Sequence, residues 1–356
     1  MTLLKRRVVA TDDMLFTTEG ELMRNRTTCR TLMVGLCLLV SINALGAPSE
    51  SAPLPPNCPP PATDLVPKDG WEAAARRATD HGVLWRIEKD GRTSWLYGTI
   101  HVARPEWILP GPIIRNALKQ SDAIALELDV LDKDFIVQLR ERQTNEDRHL
   151  LVGRRGARLN RLFDTTCLPT SGRTLIRSMR PGMQLAVLEG LSMRADGLYP
   201  DFGVDLVLEG FAKSAHLPVE PLETVSEQLR VMNDMGPANE AARSFDLTLD
   251  QIGSGKARAD ILKLANAWAE SDLDTLAHYP QWCDCLNTSG ERLDFEHMVT
   301  NRNLKMAEKI SSMHTSGQRI FAAVGALHMI GPQGIPALLA ARGFVVTSVL
   351  PAAVGE

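Results

Sequence analysis

Aromatic side chains are scarce in this sequence, with nine Phe, six Trp and three Tyr among 356 residues. That scarcity argues against stacked aromatic platforms for single-stranded nucleic acid. Neither sign of charge dominates. The 39 Lys and Arg against 43 Asp and Glu leave a net charge of −4, without the basic footprint that nucleic acid or an anionic membrane requires. No nucleic acid is expected as a partner. Several catalytic signatures are missing: Gly-x-Ser-x-Gly, His-Glu-x-x-His, a phosphate-binding P-loop, and Gly-x-Gly-x-x-Gly after a strand. Serine-hydrolase, thermolysin-like, nucleotide-hydrolysing and dinucleotide-binding readings lose their support. With 44% hydrophobic and 23% charged residues, the composition is that of a folded globular chain.

Long apolar runs are missing as well, apart from one near the N-terminus. There Arg24, Arg26 and Arg30 precede Leu32–Leu45 (LMVGLCLLVSINAL), with small residues at Ala44, Gly46 and Ala47. A basic segment, a short apolar run and a small-residue site spell an export signal, with cleavage expected after Gly46. The run is short for a membrane span, which takes about 20 apolar residues. No stable membrane insertion is expected after cleavage, and the destination is periplasmic or secreted. Acidic residues ahead of the basic segment suggest Met23 as the start. Residues 1–46 are thus read as extension and signal, and 47–70 as a Pro-rich tether. Residues 71–356 form the domain.

Cysteine is sparing: six in all, two of them, Cys29 and Cys37, inside the signal. Cys58, Cys167, Cys283 and Cys285 remain, and an even number in an exported chain points to disulfides. A Cys283–Cys285 bridge closes a very tight ring, so each is expected to pair elsewhere, and Cys58 is positioned to pin the tether to the body. Cys-x-Cys also reads as half of a zinc site, although no second closely spaced pair completes one.

What the sequence does contain is a pattern of buried strands at both ends. Val83–Glu88 and Ser94–Ile100 flank Lys89-Asp90-Gly91-Arg92, a hairpin signal. A helix over Pro112–Gln120 and a strand over Ala123–Leu128 follow. The middle is helical, including Phe135–Gln143, Val204–Ala215, Thr224–Met232, Glu240–Ile252, Ile261–Trp268 and a long helix over Glu291–Met313. Met298, Leu304, Met306 and Ile310 are assigned to the buried face of that last helix. Pro218–Leu222 is an extended link. The end returns to strand (Arg319–Val324), helix (Pro332–Ala341) and strand (Phe344–Leu350), with Gly343 as a helix stop. The expected fold is α/β (α+β): a mixed central β-sheet built from both ends of the chain, with a helical insert from about 130 to 310.

Two tetrapeptides close strands near the ends of this domain: Gly98-Thr99-Ile100-His101 and Gly325-Ala326-Leu327-His328. Glycine lets the chain turn and lets a ligand approach the backbone. The histidine then leaves the sheet as a fixed side chain, and imidazole is the commonest metal ligand. Glu127, in AIALELD, ends a third strand and serves as ligand or general base. Asp129 is a weaker second candidate on the same side of an extended strand. His101, Glu127 and His328 are therefore the expected ligands of a divalent ion, Mn, Co or Zn. Asp205, Glu209, Glu220, Glu223 and Gln228 form a polar set in the middle. Glu223 stands out because it follows an extended link and opens a helix. Arg302-Asn303 lies on the long helix.

These segments resemble the TraB/PrgY/GumN family, which includes the TIKI metalloproteases. LWRIEKDGRTSWLYGTIHVA is similar to the family's opening strand pair, and SDAIALELD to its glutamate strand. FGVDLVLEGFAKSAHLPVEPLETVSEQL resembles its middle helix and Leu-Glu-Thr segment. TNRNLKMAEKI and FAAVGALHMIGPQGIPALLAARGFVV resemble its Arg-Asn helix and second Gly-x-x-His. The resemblance implies a fold related to the haem-binding ChaN and erythromycin-esterase groups. It also implies a metal-dependent hydrolase, a peptidase acting on a peptide or protein substrate. Carried over, His101, Glu127 and His328 are the metal and catalytic set, with Glu223 and Arg302 in support. The alternative is a non-catalytic periplasmic protein that binds a peptide, or haem through Tyr97 or His101.

Overall fold

The computed structural model describes residues 58–351, apart from 133, 134, 136, 138–142 and 235–237. The expected signal and most of the Phe135–Gln143 helix lie outside the described residues.

Strand β1 (Val83–Lys89) turns through Asp90 and Gly91 into β2 (Arg92–Thr99). Both turn residues have positive φ, 52° and 71°, which a two-residue hairpin turn of this hand demands. Lys89 faces Arg92 across it. Helix α1 (Pro112–Lys119) begins with Pro in its first turn, where a missing N–H costs nothing. The chain then forms β3 (Ala123–Leu126). The helical middle includes α2 (Pro181–Ser192), α3 (Val204–Ser214), α4 (Val225–Asn233), α5 (Ala238–Ser254) and α6 (Lys256–Ala269). Between α3 and α4, Val219–Pro221 forms β4. Helix α7 (Asn301–Thr315), β5 (Ile320–Gly325), α8 (Ile335–Ala341) and β6 (Val345–Leu350) complete the order.

The six strands make one sheet in the order β4-β3-β5-β2-β1-β6. β2, β5, β3 and β4 run parallel to one another, whereas β1 is antiparallel to both β2 and β6. The late strand β5 slots between the early strands β2 and β3, so the centre of the sheet is drawn from both ends of the chain. The carboxyl ends of four adjacent strands consequently share one rim. The extended link over Pro218–Leu222 is in fact a paired edge strand, with Val219 beside Ile124 and Pro221 beside Leu126.

Both sheet faces are covered, as parallel strands require. On β5, Ile320, Ala322 and Val324 enter one apolar cluster with Met306, Ile310, Leu339 and Phe344. Phe321 and Ala323 enter the other, with Ile114, Leu118, Leu188 and Leu208. The alternation is the period of two that a strand imposes.

The single long helix expected over Glu291–Met313 is three pieces: Ser289–Phe295, a π-helical turn over Glu296–Thr300, and α7. A π turn inserts extra rotation about the axis, so one helical face does not persist through it. Met306 and Ile310 are buried as expected, but Leu304, two residues from Met306 on the same helix and so nearly opposite it, is 52% exposed.

One disulfide follows expectation and the other does not. Cys58 bonds Cys167 across 109 residues, which ties the tether to the body. Cys283 and Cys285 bond each other, with Cα atoms 5.1 Å apart, inside the ordinary disulfide range. The turn that starts at Asp284, just after the helix Tyr279–Trp282, brings the two side chains together. The expectation that they pair elsewhere is overturned.

Gly98 shows why the first Gly-x-x-His begins as it does. Its carbonyl accepts the Trp268 indole N–H at 2.7 Å. A Cβ there meets Val83 Cγ2 at 2.6 Å and the Ala326 Cα at 3.3 Å. A side chain would push β2 away from β1 and from the turn that carries His328. Gly98→Ala is expected to lower stability by about 1–3 kcal/mol, the usual cost of overpacking, read from urea denaturation midpoints.

Candidate functional site

Along the shared rim the residues following β4, β3, β5 and β2 are Glu223, Glu127, His328 and His101, in that spatial order. His101 is held where β2 has just ended. The Val204 N–H donates to the Ile100 carbonyl at 2.9 Å, and Ala103 and Tyr199 exchange backbone hydrogen bonds. The approach needs Gly203, where a Cβ falls 2.9 Å from the His101 carbonyl oxygen. This docking brings Asp205, on the first turn of α3, against the ring, with Oδ1 3.0 Å from His101 Nδ1. His101 thereby turns Nε2 away from Asp205.

Glu127 follows β3 directly and is buried. Its Oε1 accepts the Gly325 N–H at 2.9 Å. Its Oε2 accepts from Arg302 Nη2 at 2.6 Å and from Gln228 Nε2 at 3.2 Å. Arg302 lies between carboxylates. Its Nε donates to both Glu223 oxygens at 3.0 and 3.1 Å, and its Nη2 also pairs with Glu223 Oε2. Nη1 donates to the Met298 carbonyl at 2.8 Å, an acceptor in the π turn just before α7. Nη1 also lies 3.4 Å from His328 Nε2.

Asn303, the next residue on α7, fixes His328. Its Nδ2 donates to the Gln333 carbonyl at 2.8 Å, which leaves Oδ1 to accept from His328 Nδ1 at 2.6 Å. The proton then sits on Nδ1 and the lone pair on Nε2, which lies 4.0 Å from Glu127 Oε1. Gly325 occupies the middle. A Cβ built on it lies 3.3 Å from Glu127 Oε1, 3.6 Å from His328 Cδ2 and 3.7 Å from His101 Nε2. The second Gly-x-x-His glycine thus leaves the space on which these three side chains converge.

The electrostatics separate the two histidines. Burial disfavours the charged form of both. At His101, Asp205 and then Glu127 outweigh burial and raise the pKa to about 9. At His328, burial prevails with Arg302 on its side, and the pKa falls to about 3. Burial works against the charge on Glu127, but Arg302 and the two imidazoles hold it well below the usual carboxylate range. Burial raises Glu223 despite its bonds to Arg302. A carboxylate so stabilised as Glu127, with both oxygens engaged, is a weak proton acceptor. The expected general-base role is therefore disfavoured on chemical grounds, and orientation or ligation suits Glu127 better.

Nitrogen and oxygen donors of this kind, with each imidazole Nδ1 held by an oxygen acceptor, fit a borderline divalent ion. As a set they are not closed. Among the described residues, the one group of three metal-type donor atoms mutually within 4.8 Å is Asp260, Cys283 and Cys285. Holding one ion between His101, Glu127 and His328 requires a side-chain adjustment.

Asp129 does not join the rim. The strand ends at Leu126, the period of two lapses there, and Asp129 pairs with Lys213 at 2.7 Å. Glu209 accepts the Val130 and Leu131 N–H groups at 3.0 and 2.7 Å and fixes the same loop. Tyr97, expected as an alternative haem ligand, is buried, and its hydroxyl donates to the His81 carbonyl at 2.9 Å. Sequence reasoning names Asp205 and Gln228 within the middle polar set and Asn303 beside Arg302, but ties none of them to the histidines or to Glu127. The signals they carry are an acid in the first turn of a helix, a Gln one turn into α4, and adjacency to Arg302.

In EDTA-treated protein, NMR titration is expected to find His101 losing its proton near pH 9, with His328 neutral throughout pH 5–9. The raised His101 pKa contributes stability that is full below about 6.5, the unfolded value, and is lost as pH rises through about 9. The depressed His328 pKa acts oppositely. Its contribution is present above about 6.5 and falls away as pH drops toward about 3.

The TraB/PrgY/gumN family matches residues 83–348, which takes in every strand of the sheet except the last two residues of β6. The chain is 27% identical over 253 residues to the uncharacterized protein YbaP of Shigella flexneri, covering 70% of this chain and 88% of that protein. It is 26% identical over 249 residues to YbaP of Escherichia coli K12, covering 68% and 86%. No solved structure matches. With the matched segment spanning most of its length and both Gly-x-x-His strand ends, the chain belongs to the TraB/PrgY/gumN family.

Proposed function

We propose that this chain is an exported metal-dependent hydrolase that cleaves peptides, with a divalent ion (Mn, Co or Zn) held by His101, Glu127 and His328. The observation that carries the reading is the matched orientation of the two imidazoles. Asp205 and Asn303 each occupy an Nδ1, which leaves His101 Nε2 on the space over Gly325 and His328 Nε2 beside it, 4.0 Å from Glu127 Oε1 and 3.4 Å from Arg302 Nη1. Outer partners of this kind are what metal-binding histidines usually have. A bound ion would polarise a carbonyl and acidify a water molecule.

The chain's own groups supply the rest. Asp205 holds the proton of His101 on Nδ1, so that an ion taking Nε2 displaces only the second ring proton. Gln228 and the Gly325 N–H fix the Glu127 carboxylate. Arg302, whose N–H groups are taken by Glu127, Glu223, Met298 and His328, keeps a positive charge near the reacting space that favours developing negative charge there. Export rests on the basic and apolar pattern of residues 24–47. No helix among the described residues is long and apolar enough to cross a membrane.

The test is metal content by elemental mass spectrometry, followed by a peptide library with the retained ion. About one divalent ion per chain is expected, lost in His101→Ala/His328→Ala along with cleavage. An unchanged metal stoichiometry in that double variant refutes the metal site. A retained ion with no cleavage of any library peptide refutes the peptidase reading. Arg302→Ala is expected to cost about 3–5 kcal/mol in urea denaturation, because it strands two buried carboxylates. Arg302→Lys, which keeps the charge but loses the fork, is expected to unfold less readily than Arg302→Ala.

A further inference from the structure

The second place where metal-type donors converge lies away from the rim, against α6. Asp260 is on α6, and its Oδ2 accepts the Asp284 N–H at 3.1 Å. Cys283 Sγ is 3.7 Å from the same oxygen. Both sulfurs are buried, with Cys283 and Cys285 at 3% and 5% exposure. The Tyr279 hydroxyl lies 3.2 Å from each sulfur. Lys256 pairs with Asp284, the residue between the cysteines, at 2.6 Å.

We propose that reduction of the Cys283–Cys285 disulfide opens a second metal site, in which two thiolates and the Asp260 carboxylate hold a thiophilic divalent cation such as Zn2+. A dithiol reductant supplies two electrons and two protons. The S–S bond breaks, both cysteines become thiols, and the reductant leaves as its own disulfide. The hydrated cation then displaces both thiol protons to solvent, forms two metal–sulfur bonds and one bond to the Asp260 carboxylate, and keeps one water as its fourth ligand.

The geometry suits this exchange. Around a tetrahedral zinc, sulfur and oxygen ligands stand about 3.5 Å apart and two sulfurs about 3.8 Å apart, given bonds of about 2.3 and 2.0 Å. Cys283 Sγ and Asp260 Oδ2 already stand at 3.7 Å. Two sulfurs released from their bond separate to about van der Waals distance, close to that ligand spacing. The Tyr279 hydroxyl can donate to a thiolate and stabilise it. Two thiolates and a carboxylate carry three negative charges, of which the cation offsets two. Lys256 adds a positive charge nearby. This site takes soft sulfur ligation, whereas the rim offers only nitrogen and oxygen, so the two select different ions. While the disulfide stands, no thiolate is available and the site is closed.

The probe is Co2+, whose thiolate charge-transfer bands report sulfur ligation directly. Protein reduced with a phosphine is expected to take up one Co2+ with those bands and with tetrahedral visible bands. Zn2+ should displace it. The bands should be absent without reduction, persist in Cys58→Ser/Cys167→Ser and in His101→Ala/His328→Ala, and vanish in Cys283→Ser/Cys285→Ser. Asp260→Asn should weaken Co2+ binding by about tenfold or more. Because the cysteine variant risks misfolding, the wild-type protein provides an independent readout. Zn2+ should protect Cys283 and Cys285, but not Cys58 and Cys167, from alkylation mapped by mass spectrometry. No thiolate band in the reduced protein, or equal alkylation of all four cysteines with Zn2+ present, overturns the proposal.

Discussion

The rim depends on one buried guanidinium. Glu127 and Glu223 leave adjacent strands and end on the same side of the sheet, and both are buried. Two such carboxylates would repel each other and lose their hydration, a cost of several kcal/mol per ion. Arg302 resolves this by pairing with both, and its planar fork can serve two acceptors where an ammonium would serve as a point charge. The position of Arg302 is in turn set by the π turn, whose Met298 carbonyl takes one of its remaining N–H groups. The interruption of the long helix is thus part of the site. It places Arg302 and Asn303, two consecutive residues, on the carboxylates and on His328.

The two Gly-x-x-His tetrapeptides share a spelling but not a use of glycine. Gly98 is needed for packing: its missing side chain lets β2 sit between β1 and the turn at Ala326. Gly325 is needed for the site: its missing side chain leaves room for Glu127 Oε1, His328 and His101 Nε2, and its N–H holds Glu127. The histidines also differ. One faces a carboxylate and keeps a proton, while the other faces an amide oxygen and a guanidinium and remains neutral. Without an ion the scaffold presents one charged and one neutral imidazole, and an ion bound by both has to displace a proton from His101.

Much of this architecture is legible in the sequence. Apolar β-rich runs at both ends and an Asp-Gly turn are local signals, and they indicate the hairpin, the strands carrying His101, Glu127 and His328, and the shared sheet. What is not legible depends on contacts between distant segments. Asp205 reads as an ordinary first-turn acid until Gly203 docks α3 against His101. Leu304 is apolar and close to Met306 in sequence, but two residues along α7 carry it about 200° round the helix, away from the buried side. Asp129 alternates with Glu127 only if the strand continues, and β3 stops at Leu126. Ring size argues against the Cys283–Cys285 bond, but it takes no account of the turn at Asp284 and the small Cα separation that the turn produces.

The two donor clusters also differ in what controls them. At the rim, hydrogen bonds and ion pairs pre-orient the side chains, and protonation decides which imidazole offers a lone pair. Each donor is held by a partner on another strand or helix, so the rim reports on the integrity of the whole sheet. At Cys283 and Cys285 the donors are two residues apart in sequence and joined covalently, so availability is decided by electrons rather than by protons. Only Asp260 comes from elsewhere in the chain, on a helix one layer from the sheet. None of the three donor residues belongs to a strand, although both sulfurs pack in the apolar cluster that also takes Ile320, Ala322 and Val324 of β5. Rim and cluster can therefore respond to different conditions, acidity at one and thiol redox state at the other, within one fold.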